Sequence, residues 1–251
     1  MAGLTEMVAF LDRELKVAWI PDYPGAMNGL QLANEGRVER IVAAVDASLP
    51  VIQAAAAGGP GLLLVHHGML WQGARAVTDV FYRKLKTAME SGLAVYSSHL
   101  PLDVHPEWGN NILLARAIGL MNPEPVCERD GVFLGLRGSW NGTRDNLAAL
   151  LRQTLGGAVH VCPGGPEIIS SVGLITGAAG GEVEKVAALG LDAFVTGEGP
   201  HWSYPLAEEL GINVYYGGHY ATETFGVQSL AQATAREFRL PWGFIDHPTG
   251  L

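Results

Sequence analysis

The residues best equipped for chemistry in this 251-residue chain are histidines and carboxylates gathered in three short stretches. VHHGMLW carries His66 and His67, SSHLPLDVHPEWGNN carries His99, Asp103 and His105, and YYGGHYATE carries His219 and Glu223. Five of the eight histidines therefore fall in these three stretches, while His160, His201 and His247 are dispersed. Paired histidines at one strand end are ordinary polar surface when met alone; clustering over three loops is not explained that way. Imidazole nitrogen and carboxylate oxygen together suit divalent transition metals. A carboxylate can touch two ions, whereas a neutral imidazole donates through one nitrogen. Neighbouring residues on an extended segment point to opposite sides, so His66 and His67 are expected to serve one ion each.

Other chemistries find little support. The chain has no H-E-x-x-H, C-x-x-C or G-x-S-x-G and no P-loop. TGAAGG (Thr176–Gly181) could cradle an anion on backbone N–H groups, but reads more simply as a tight strand-to-helix turn. Trp71 and Trp108 lie beside the histidine loops and could wall a pocket; packing is the simpler reading of both. Cys127 and Cys162 are far apart and in no metal-type spacing, as expected of a reducing cytoplasm.

The elements that must position these residues alternate along the chain. RIVAAV, GLLLVH and LAVYSS read as buried strands, and so do SVGLIT, DAFVTG and NVYYGG later on. Between GLLLVH and LAVYSS, the apolar residues Val80, Phe81, Leu85 and Met89 recur at helical spacing. GGEVEKVAALG and HWSYPLAEELG supply further helical patterns. The fold class is α/β with largely parallel pairing, and α/β folds place their chemistry at the carboxyl ends of such strands. Two halves resemble each other: SGLAVYSSHLPLD and LGINVYYGGHYATE each run from glycine through an apolar strand to a histidine, with an acid four positions on. GLLLVHH and DAFVTGE likewise both end a strand in polar groups, the latter in Glu198. A diverged duplication follows. We expect two similar, closely packed α/β lobes, 1–125 plus 167–251, around a short strand–helix–strand insert at 126–166.

Composition limits the partners. The chain is 48% hydrophobic and 16% charged with a formal net charge of −9, a globular profile whose acidity disfavours phosphate backbones. No apolar run approaches the roughly 18 residues that a membrane-spanning helix needs, and MAGLTEMVAFLDREL reads as an amphipathic helix, not a signal peptide. No nucleic acid and no membrane are expected, and the location is expected to be cytoplasmic.

VHHGMLW, SSHLPLDVHPEWGNN, DAFVTGE, YYGGHYATE, NGLQL and the closing WGFIDHP resemble the YbgI/Nif-three-like family of dinuclear metal-centre proteins, and the resemblance covers essentially the whole chain. It implies a Nif-three-like fold of the compact form, assembled into a toroidal homohexamer with its metal sites facing the internal cavity. Carried over motif by motif, the ligands would be His66, His67, Asp103, His219 and Glu223, with Glu223 as the bridge. His99 and His105 match motif histidines that lie close to the metals, where one of them could serve Asp103. Family members are often named GTP cyclohydrolase type-II-like or metal-dependent hydrolases. This chain departs from the pattern after TGE, where Pro200 and His201 would alter the rim of the pocket.

Two readings stay open. In the first, two divalent ions (Zn, Fe, Mn, Co or Ni) acidify water for hydrolysis of a cyclic nucleotide base, phosphoester or amide of an unknown small molecule. His99, His105 or Glu198 would then move the proton. In the second, the chain is a metal-binding scaffold or interaction protein without catalysis. An anion-binding module built on TGAAGG is a distant third.

Overall fold

The computed structural model describes residues 2–71, 73 and 75–251. The chain divides into two compact units. The first runs to Leu102 and takes back Gly226–His247; the second comprises Asp103–Phe225 with Pro248–Leu251.

The first unit opens with β1 (Ala2–Gly3), α1 (Leu4–Leu15), β2 (Gly29–Leu32) and β3 (Arg37–Val38). Then come β4 (Ile41–Asp46), α2 (Leu49–Ala56), β5 (Gly61–His67), α3 (Asp79–Glu90), β6 (Leu93–Ser97) and α4 (Leu100–Asp103), whose last residue opens the second unit. Strands β4, β5 and β6 are apolar up to their polar carboxyl ends because both faces of a parallel sheet are covered. They pair parallel to one another, with β2 antiparallel at one edge. On the other edge lies β13 (Trp242–Phe244), parallel to β4 and preceded by α10 (Thr224–Phe238). Helix α2 starts on Ser48, whose hydroxyl accepts from the Val51 N–H, with a proline in its first turn. Helix α3 buries Phe81 and Ala88 and leans Leu85 on the core. Val80 and Met89, part of the apolar pattern in the sequence, are instead 46% and 59% exposed. A helix buries one stripe, and here positions 81, 85 and 88 take it.

The second unit contains α5 (Asn110–Ala117), β7 (Met121–Arg129), β8 (Val132–Thr143), α6 (Arg144–Leu155), β9 (His160–Pro163) and β10 (Ile168–Leu174). It continues through α7 (Val183–Ala187), β11 (Ala193–Thr196), α8 (Ser203–Leu210), β12 (Asn213–Tyr216) and α9 (His219–Thr222). Its six strands lie in the order β7-β8-β10-β11-β12-β9. Strands β10, β11 and β12 are parallel, and β9 is antiparallel to β12. Three parallel strands flanked on one side by an antiparallel edge strand thus occur in both units, and the first adds β13 as a fourth parallel strand.

The unit boundaries differ from those read in the sequence. The strand–helix–strand segment within 126–166 is joined to the parallel strands of the second unit: β8 hydrogen-bonds to β10, and β9 to β12. Helix α6 packs Leu147 and Leu151 into the same core as Leu174, Val195 and Tyr215. A reciprocal capping box between Thr143 and Asn146 starts that helix, and Gly156 in the left-handed region ends it. The segment reads as separate in sequence because its strands pair with partners far along the chain.

Candidate metal centre

In the first unit the strand ends assemble three imidazoles. The register of β4 on β5 sets Asp46 beside His67. The Asp46 Oδ1 lies 2.8 Å from His67 Nδ1. His66, fully buried on the same strand end, has its Nδ1 2.9 Å from the Ser98 carbonyl oxygen just past β6. His99 follows one residue later, with its Nδ1 2.9 Å from Asp22 Oδ1. Asp22 is itself held: it accepts from Asn28 Nδ2 at 2.8 Å and from the Leu100 N–H at 3.0 Å. Burial pushes the Asp22 carboxyl up, but the His99, Asn28 and Tyr23 donors outweigh it and leave its pKa below the usual carboxylate value.

A carbonyl oxygen can only accept, so His66 must carry its proton on Nδ1 and present a lone pair at Nε2. The carboxylates of Asp46 and Asp22 likewise accept from Nδ1 of His67 and His99, which places a proton on that nitrogen. One ring nitrogen from each of the three histidines lies within 4.8 Å of the other two. The His66 and His67 rings are 4.8 Å apart and tilted by 50°. They are therefore not thrown to opposite sides as a regular strand would require. Where β5 ends, their Nδ1 atoms are drawn to different neighbouring strands, His67 toward β4 and His66 toward the residue after β6. Trp71 meets His99 edge-on at 4.8 Å, and Tyr23 lies 5.8 Å from the same ring.

In the second unit the strand and helix ends assemble carboxylates. Asp103 is buried, with Oδ1 accepting from Asn110 Nδ2 at 2.8 Å and from Thr176 Oγ1 at 3.4 Å. Asn111 ties the same turn to the sheet, donating to the Asp103 carbonyl and accepting from the Thr176 N–H. Glu223, buried after α9, has Oε2 3.1 Å from His219 Nε2. His219 Nδ1 lies 2.8 Å from Glu198 Oε1. Burial alone would discharge His219, but Glu223 and Glu198 overcome it and raise its pKa to about 9. A metal at Nε2 would have to displace that proton. Asp103 and Glu223 each offer an oxygen, and the two oxygens are within 4.8 Å of one another. Gly177 makes room for Glu223: its φ is +71°, and a Cβ there would stand 2.2 Å from Glu223 Oε1.

The donor set fits a divalent transition metal. It offers nitrogen and oxygen and no thiolate, since Cys162 is buried in an apolar cluster against which Cys127 packs. Four imidazoles, His66, His67, His99 and His219, have Nδ1 on a carbonyl or carboxylate, the arrangement that orients metal-binding histidines. His105 differs, because its Nδ1 accepts from the Glu107 and Trp108 N–H groups and its ring stacks on Trp108. Either His99 or His105 could serve Asp103 by the sequence; the Nδ1 of His99 goes to Asp22. Sequence reasoning missed the anchors Asp22 and Asp46. Asp46 closes the strand RIVAAVD and could have been found from strand order; Asp22 sits in an irregular segment and carries no such signal.

These features belong to a known class. Residues 2–249 match the Duf34/NIF3 (NGG1p interacting factor 3) family, and the chain is a member of it. A Deinococcus radiodurans relative named GTP cyclohydrolase 1 type 2 homolog is 40% identical over 99% of this chain and 95% of its own. A Pyrococcus abyssi protein of the same name is 39% identical, covering 98% of both chains. Among solved structures, TTHA1606 from Thermus thermophilus superposes with a TM-score of 0.91 at 39% identity, covering 99% of this chain and all of that one. The protein ybgI, of unknown function, gives 0.92 at 32% identity, again over 99% of this chain and all of its own. Among the described residues, no helix is long and apolar enough to cross a membrane.

Proposed function

We propose that the chain is a dinuclear metal-binding protein acting as a metal-dependent hydrolase. His66, His67, Asp103, His219 and Glu223 are the ligands, and Glu223 is the bridge. The observation that carries this reading is the common anchoring of imidazole Nδ1 atoms, which aims Nε2 as the donor. Support also comes from the relatives' name, GTP cyclohydrolase 1 type 2 homolog. Divalent ions held there would supply Lewis acidity for splitting a ring C–N bond, a phosphoester or an amide. The protein's own contribution is orientation and proton handling. His99, backed by Asp22, is placed to hold or release a proton at Nε2. Glu198 holds the His219 ring in line. His105 is held by its own turn and assists from there. In this reading the chain works as a cytoplasmic homohexamer.

The family description names an interacting factor, and this favours one alternative: a metal-stabilised scaffold for partners, without turnover. The discriminating experiment loads purified protein with Zn, Mn, Fe, Co or Ni and screens nucleotides, phosphoesters and amides. The hydrolase reading expects turnover that Glu223→Gln abolishes. Failure across every metal and substrate class supports the scaffold.

A further inference from the structure

Within the second unit, a cavity of about 410 Å³ lies between α5 and the β7–β8 hairpin. That volume is in the range of small-molecule sites, which run from roughly 300 to 1,000 Å³. Its walls are apolar, built from Ile112, Pro123, Pro125, Val132, Phe133 and Leu136. Strand alternation explains the proline pair. Glu124, between them, turns the other way to meet Arg137 at 2.9 Å, leaving both pyrrolidine rings on the cavity side. Proline has no N–H to bring to the wall, so this stretch of β7 presents hydrocarbon.

The polar side chains at the cavity's edge are occupied with the fold. Asn111 donates to the Asp103 and Leu134 carbonyls and accepts from Thr176. His105 Nδ1 accepts two backbone N–H groups of its own turn. Asp103 Oδ1 receives Asn110. The cavity therefore meets a ligand with hydrocarbon walls, and at one end with the Asp103 carboxylate beside the His105 ring. Such a site rewards burial of apolar surface and penalises an anion.

We propose that this cavity binds a neutral, ring-sized apolar group of a small molecule. It shares Asp103 with the metal reading but does not rest on it, because binding is read in metal-stripped as well as metal-loaded protein.

Indole serves as the neutral probe and indole-3-acetate as its anionic counterpart, titrated into methyl-labelled protein. The expected result is a saturable shift of the Ile112, Val132 and Leu136 methyls by indole, with Kd on the order of 1 mM or tighter. Intermolecular NOEs from indole to those methyls should accompany it. Indole-3-acetate should bind at least about tenfold more weakly, a difference of ~1.4 kcal/mol. Ile112→Trp and Val132→Trp, on different walls, should each abolish the indole shifts in variants that keep the wild-type melting temperature. Should neither variant fold, the NOE pattern in the wild-type protein decides alone. Absence of saturable shifts or NOEs at these methyls, including absence caused by a second copy covering the cavity, overturns the proposal. So does equal affinity for the anion.

Discussion

The two units carry opposite kinds of donor. The first supplies imidazole nitrogen, His66, His67 and His99, each steadied by an acceptor on Nδ1. The second supplies anionic oxygen, Asp103 and Glu223, steadied by donors such as Asn110 and by the room that Gly177 leaves. His219 is the one imidazole of the second unit in this set, and it sits between two carboxylates. A shared sheet plan with diverged strand-end residues thus gives one half that fixes tautomers and another that supplies negative charge. Neutral ligands alone leave a divalent ion's charge uncompensated, whereas carboxylates alone attract hard cations such as Mg and Ca. On the proposed reading the two kinds of donor act together, a combination that suits a transition metal.

The comparison breaks most visibly at Glu223. On the proposed reading Glu223 bridges both ions, so Glu223→Ala should lose both after mild chelation, while Asp103→Ala keeps one. Metal per chain by elemental analysis, on variants shown to be folded, checks this; retention of one ion by both variants would remove the bridging role. Next in size are the anchors. Asp46→Asn should lower metal affinity by about 10- to 100-fold, because His67 loses the carboxylate that fixes its tautomer. Competition with a chromogenic chelator reads the change, and unaltered affinity would mean that the ring is held by other means.

Gly177→Ala probes the second unit's cradle. The new Cβ would collide with Glu223 Oε1 on a backbone that favours glycine, so a loss of about 1–3 kcal/mol in stability is expected by urea unfolding of metal-free protein. The smallest effect concerns Asp192, a control carboxylate held by the Ser170 and Ser171 N–H and hydroxyl groups, remote from the metal ligands in sequence. Burial raises its pKa, but those donors outweigh burial and the net shift is downward. A depressed folded pKa contributes stability that is fully present above the unfolded value of 3.8 and lost as pH falls through the folded value. Wild type should therefore exceed Asp192→Asn at neutral pH, with the gap closing below pH 3.8. A gap that is constant with pH would contradict the assignment.

Much of this division was legible in the sequence, because ligand residues at strand ends carry a local signature. An apolar run that stops on His66–His67 or just before His219 marks both the strand and its chemistry. The sheet's parallel core was readable for the same reason, since residues buried on both faces are apolar throughout. What the sequence did not yield depends on distant pairing. Asp22 reaches His99 across 77 positions, and β8 joins β10 from outside the run of parallel strands. At α3 the spacing of Val80, Phe81, Leu85 and Met89 marks the helix but does not say which edge of the apolar stripe meets the core, and Val80 and Met89 lie exposed.

The most direct measurement is the metal content and metal–metal distance of protein purified without added metal. Elemental analysis with X-ray absorption should find two divalent transition-metal ions per chain, about 3.5–4 Å apart as in other two-metal sites, in a nitrogen and oxygen shell without sulfur. A stoichiometry of one or none in folded protein, after reconstitution with each candidate metal, would contradict the dinuclear centre.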